Sequence, residues 1–132
     1  MLHYNIRTSI APWLSVANCI KAVEFYKAAF DAVETYRLES PDGGLVIKLS
    51  VEGAEFWLSG GVTDNGDIKV RPLGGESVRL ILSVADPDAV FAKAIEAGAK
   101  EIFPVTEEYE WKLGRIVDPF GLHWEIGHPL SR

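Results

Sequence analysis

Cysteine is all but missing from this chain. Cys19 stands alone among 132 residues, so no intrachain disulfide can form and no cysteine cluster can hold zinc. Basic residues are in deficit as well: 13 Lys and Arg face 19 Asp and Glu, for a formal net charge of −6. Nucleic-acid binding needs clustered cations to neutralise phosphates, and this balance argues against such a partner. No apolar run is long enough to cross a bilayer, and Met1-Leu2-His3-Tyr4-Asn5 lacks the apolar core of a signal peptide. Together these absences predict a cytoplasmic protein with no nucleic-acid and no membrane partner.

What is present is a globular composition, 48% hydrophobic and 24% charged. The length suits a single domain, 1–132, with room for one substantial core. Inside it the sequence repeats. Leu14-Ser15-Val16-Ala17-Asn18 recurs as Leu82-Ser83-Val84-Ala85-Asp86, and a helical pattern follows each copy. Ile20, Val23, Tyr26 and Phe30 fall at helical spacing in the first, and Val90, Ala94 and Ala97 in the second. Asn18 and Asp86 stand where N-caps belong, and Pro87 suits a first helical turn. Gly98 can close the second helix in a left-handed cap, whereas the first copy has Asp31, which tolerates that conformation less well.

Three strand-like runs follow each helix: 33–38, 45–51 and 55–59, then 100–106, 111–117 and 122–127. Each half therefore reads β-α-β-β-β, with helices near 19–31 and 87–98. Module one spans about 8–60, a Gly- and Asp-rich linker about 61–76, and module two about 77–128. The predicted class is α+β, two modules forming a curved mixed sheet around a cavity.

Strand alternation sorts side chains between a helix side and a cavity side. Leu14, Val16, Leu80, Leu82, Val84, Trp57, Trp124 and Ile126 are expected under the helices. Trp13, Ser15, Phe56, Leu58, Arg79, Ile81, Ser83, His123 and Glu125 are expected to line a cavity enclosed by two sheets with the helices outside.

Two stretches carry a family resemblance: Ala22-Val23-Glu24-Phe25-Tyr26-Lys27-Ala28-Ala29-Phe30, and Asp118-Pro119-Phe120-Gly121-Leu122-His123-Trp124-Glu125. The chain resembles the vicinal-oxygen-chelate superfamily (glyoxalase, bleomycin resistance protein, dioxygenase) over nearly its whole length, and within it the PhnB-like branch. The resemblance implies four metal-ligand positions, on the first, fourth, fifth and last strands. Aligned on the repeat, these fall on Ala11, Leu58, Arg79 and Glu125. One carboxylate cannot hold a catalytic metal, and a guanidinium repels one, so no metal and no cofactor is expected. The resemblance also implies a homodimer, because open sheet edges in such folds are covered by pairing.

Several residues admit two roles. Glu125 either binds a ligand or pairs with Arg79 across the cavity; the pair is favoured, because a buried carboxylate needs a partner. His123 is either a general base or an ordinary hydrogen-bonded histidine. Trp13 and Trp111 are candidates for stacking on a planar ligand, and Cys19 is read as a structural thiol. The leading expectation is a small-molecule binder of the antibiotic-resistance type, taking an aromatic or cationic compound. The alternatives are a glyoxalase-like lyase or isomerase acting on a carbonyl substrate, and an interaction domain.

Overall fold

The computed structural model describes residues 8–41, 43–61 and 78–130. The elements run β1 (Trp13–Asn18), α1 (Cys19–Phe30), β2 (Val33–Glu39), β3 (Leu45–Val51), β4 (Ala54–Gly61), β5 (Leu80–Ser83), α2 (Pro87–Ala97), β6 (Lys100–Glu108), β7 (Trp111–Val117) and β8 (His123–Pro129). Each module forms its own four-stranded mixed sheet, ordered β1-β4-β3-β2 and β5-β8-β7-β6. The β-α-β-β-β repeat and the α+β class expected from the sequence are those of the molecule. Of the expected linker, only Gly61 lies among the described residues, and it ends β4.

Local chemistry starts and stops both helices as the sequence implies. The Asn18 side chain accepts from the backbone N–H of Lys21 at 3.0 Å, and that of Asp86 from Ala89 at 3.2 Å. Gly98 closes α2 at φ 125°, and Asp31 takes the same role for α1 at φ 56°. Asp31 takes this unfavourable conformation in a set of compensating bonds: its own N–H reaches the Lys27 carbonyl, and its carboxylate meets Lys93 of α2 at 2.7 Å. Glycine is obligatory where strands crowd. A Cβ on Gly60 would stand 2.0 Å from the Val16 carbonyl oxygen, and one on Gly127 would stand 2.1 Å from that of Lys112.

The phase of β4 corrects one expectation. Phe56 and Leu58 are buried on the helix side, and Trp57 lies on the opposite face. The parallel register decides this, since Trp13 pairs with Trp57 in β1 and β4 while Leu80 pairs with Trp124 in β5 and β8. Because Trp13 matches Ile81 in the repeat, the counterpart of Trp124 is Phe56, not Trp57. The Phe56 and Trp124 rings meet across the two modules at 5.5 Å.

The order of layers corrects another. Helix α1 packs on its own sheet and on α2, which packs on the second sheet. Phe25, Tyr26 and Phe30 of α1 join Phe56, Phe120 and Trp124 in one aromatic core. At its centre the buried Asp118 carboxylate accepts four hydrogen bonds, from Tyr26 Oη at 2.6 Å and from Trp124 Nε1 and the Phe120 and Leu122 amides at 2.9 Å each. Burial and the Asp118 charge hold the Tyr26 hydroxyl well above its ordinary pKa, so it stays a donor. The helices thus lie between the sheets, not outside them. Each sheet turns its other face away from the shared core, and among the described residues of one chain the two faces do not enclose the expected cavity between them.

Candidate functional site

The open face of the second sheet is concave. On β8 it carries His123 and Glu125; beside them Ile81 of β5 and Arg115 of β7 stand in register with Glu125, and Phe103 of β6 with Arg115. A groove of about 600 Å3 runs along this face. Ile81, Phe103, Trp111 and Leu113 supply apolar wall, Arg115 and Glu125 stand at one end, and Glu108 and Tyr109 at the other. Tyr109 is 93% exposed and sits in a two-residue hairpin turn with Glu110. Both have positive φ, 52° and 67°, a conformation that costs non-glycine residues free energy.

The polar end is tightly arranged. Arg79 meets Glu125 at 3.3 Å, with the arginine side chain 45% exposed and the carboxylate 19%. The pair favoured from sequence therefore exists, near the surface. Arg115 sends Nε and Nη2 to Nδ1 of His123, at 3.1 and 2.9 Å. An arginine only donates, so the ring nitrogen must accept and the imidazole is neutral. Burial, and next the Arg115 cation, lower the His123 pKa from its ordinary 6.5. Arg115 also lies over the Phe103 ring, 5.9 Å from its centroid.

The first sheet presents a different open face. Trp13 stacks on Trp57 with centroids 5.9 Å apart, and Tyr36 meets Trp57 edge-on at 5.7 Å. Lys48 Nζ sits 4.9 Å over the Trp57 ring and 3.4 Å from Glu55. Trp13 Nε1 donates to Ser59 at 2.9 Å, and Ser15 lies 3.5 Å from that hydroxyl.

The predicted site residues therefore divide. Trp111, Ile81 and Glu125 line the groove; Arg79, Ser83 and His123 share its face. Trp13 and Ser15 belong to the other sheet, and Phe56 and Leu58 to the core, so among the described residues of one chain Trp13 does not share a pocket with Arg79 and Glu125. Sequence reasoning missed Arg115, Phe103, Leu113 and Trp57. In β7 the burial of Gly114 and Ile116 turns Leu113 and Arg115 towards the groove, a phase that the residues of that strand do not reveal by themselves. Cys19 is fully buried, and desolvation above all pushes its thiol up to about 11, as suits a structural thiol.

The fourth-strand ligand position falls on Trp57, since Trp57 matches Glu125 when Trp13 is matched to Ile81. The four positions are thus Ala11, Trp57, Arg79 and Glu125, and the single carboxylate is held by a guanidinium. This donor set does not fit a divalent metal. Among the described residues, no three His, Cys, Asp or Glu side chains gather to hold one.

The fold built by these two modules is that of the glyoxalase/bleomycin resistance/dioxygenase proteins. The domain of that description from Frankia sp. EAN1pec superposes with a TM-score of 0.72 at 17% identity, over 95% of this chain and 99% of the other. Uncharacterized protein Mb0911c of Mycobacterium bovis is 37% identical over 132 residues, covering 96% of this chain and 86% of the relative. Uncharacterized protein At5g48480 of Arabidopsis thaliana is 33% identical over 111 residues, 78% of this chain and 67% of the relative. The crystal structure of the At5g48480 gene product matches with a TM-score of 0.63 over 93% of this chain and 98% of that one. The chain belongs to the family that includes these mycobacterial and plant proteins. No protein-family model matches it.

Proposed function

We propose that the protein is a small-molecule binder that holds a flat, aromatic compound in the groove of its second module. The observation that carries this reading is the groove itself: an apolar wall with Trp111 along it and an ordered set of polar groups at one end, the usual make-up of a ligand site. The antibiotic-resistance type within the superfamily fits this reading, as does the PhnB-like branch on the strength of the Asp118–Glu125 stretch. The acidic composition and lone cysteine favour a cytoplasmic setting; among the described residues no helix is long and apolar enough to cross a membrane.

The partner we propose is a second copy of this chain. Trp13, Leu38, Ile81 and Phe103 are each more than half exposed on the open faces, and β1 and β5 are edge strands of their sheets. Pairing the aromatic face of one protomer with the groove of the other covers both. A lyase or isomerase reading with Glu125 as base is disfavoured, because Arg79 already occupies that carboxylate and the ligand positions do not suit a metal.

A thermal-shift screen with aromatic compounds tests the binding reading; no stabilisation by any planar compound would sink it. Stoichiometric divalent metal in elemental analysis would revive the enzyme reading. Light scattering is expected to give the dimer mass at micromolar concentration, and a monomer mass refutes the pairing.

A further inference from the structure

We infer that the groove selects molecules that carry a carboxylate at one end of a flat apolar body, with the carboxylate seated against Arg115 and Arg79. This rests on the binding reading above and names the ligand's chemistry. The charges at the polar end do not cancel. Arg79 and Arg115 bring two cations, Glu125 brings one anion, and His123 is neutral because it accepts from Arg115. Glu125 is taken by Arg79, so the hydrogen bonds of Arg115 go to an uncharged acceptor. An incoming carboxylate offers that guanidinium fork a charged, planar acceptor that matches its geometry.

The other groove carboxylate does not change the balance. Glu108 pairs with Trp111, four residues along β7 from Arg115 and so about 13 Å away at strand rise. Between these ends lie Leu113, Trp111 and Phe103, which set the length and flatness of the apolar body. A ligand with a cationic head would meet two guanidiniums where a carboxylate meets complementary charge. Of the aromatic or cationic compounds expected from the antibiotic-resistance resemblance, the two guanidiniums favour the aromatic and argue against a cationic head. Burial of His123 acts in the same sense, keeping the ring neutral at pH 7 and leaving Nε2–H as a further donor.

The test uses the full chain and three probes of one shape: 2-naphthoate, 2-naphthamide and 2-naphthylmethylamine, titrated by calorimetry at pH 7.5 and low salt. Naphthoate is expected to bind about tenfold or more tighter than the amide, and the amine weakest. Arg115→Gln should bring naphthoate down to the amide's affinity while leaving the amide within about twofold. Trp111→Ala should weaken acid and amide by the same factor. If Arg115→Gln does not fold by circular dichroism, Arg79→Gln carries the test, since it leaves Glu125 uncompensated and should likewise lower naphthoate affinity selectively. Equal binding of acid and amide, or tighter binding of the amine, overturns the charge selection while the binding reading stands. Unchanged naphthoate affinity in a folded Arg115→Gln also overturns it. Failure of all three probes to bind at millimolar concentration overturns both.

Discussion

Trp57 occupies on the first sheet the place that Glu125 occupies on the second, and three neighbouring positions diverge alongside it. Trp13 stands for Ile81, Lys48 for Arg115, and Tyr36 for Phe103, each matched by strand register. One motif survives the divergence: a cation from the third strand of each module lies over an aromatic ring, Lys48 over Trp57 and Arg115 over Phe103. The rest has parted. The first face is a stacked aromatic platform fixed by hydroxyls, while the second is a groove with an ion pair and a neutral histidine at its head. One backbone plan thus carries an aromatic platform in one module and a groove in the other, through four side chains.

The turns that follow the third strands diverge further, and their loss should separate the modules most sharply. Asp118 and Glu52 are the first residues after β7 and β3. Asp118→Ala removes the acceptor of four hydrogen bonds and strands the Tyr26 hydroxyl and Trp124 indole in the core. A loss of about 4 kcal/mol in urea denaturation is expected. Glu52→Ala, in an exposed turn, should stay within about 0.5 kcal/mol. Equal losses would show that the modules are held together in some other way.

Ligand binding should distinguish the faces next. Trp111→Ala is expected to weaken a planar ligand about tenfold, by loss of aromatic contact. Trp13→Ala should do less in dilute monomer and approach the same effect in a dimer that closes the groove. A Trp13 effect that does not depend on protein concentration would break the assignment of the ligand to the second face.

Acid should act on the second face through His123. The folded-state pKa lies below the unfolded value of about 6.5, so the unfolded chain binds the extra proton first. The stability His123 contributes is complete above about pH 6.5 and is lost as pH falls towards its folded pKa. Melting curves between pH 7 and 5 should fall less steeply for His123→Gln than for the wild type; parallel curves refute the linkage. Smallest is the ion pair. Had Arg79 and Glu125 been deeply buried, removing one would cost about 3 to 5 kcal/mol. With the arginine side chain 45% exposed, Glu125→Gln should cost only about 0.5 kcal/mol, read as a shift in urea midpoint.

The architecture was legible because its signals are local. The repeated Leu-Ser-Val-Ala stretch, the caps Asn18 and Asp86, and the turn glycines each act within a few residues, and the helices fall within a residue of where they were expected. The site was only partly legible. β4 carries large apolar side chains in both phases, Phe56 and Leu58 in one and Trp57 in the other, so alternation alone could not orient it; only the pairing with β1 does. Arg115 escaped because a lone arginine in a strand signals nothing until the strand's phase is known. The order of the layers was out of reach altogether, since it depends on α1 meeting the second module through residues such as Tyr26 and Asp118, 92 positions apart.

That separation has a consequence for how the chain folds during synthesis. At about 5–20 residues per second, roughly 5–20 s pass between the emergence of Tyr26 and that of Asp118. During this interval the first module can form its sheet and helix, but Tyr26, Phe30 and Phe56 have no Trp124 to cover them. Native contacts that close so late slow folding and leave sticky surface on the nascent chain. A ribosome stalled in the linker would therefore hold a fragment with exposed aromatic surface where the finished chain has Asp118 accepting four hydrogen bonds in a closed core.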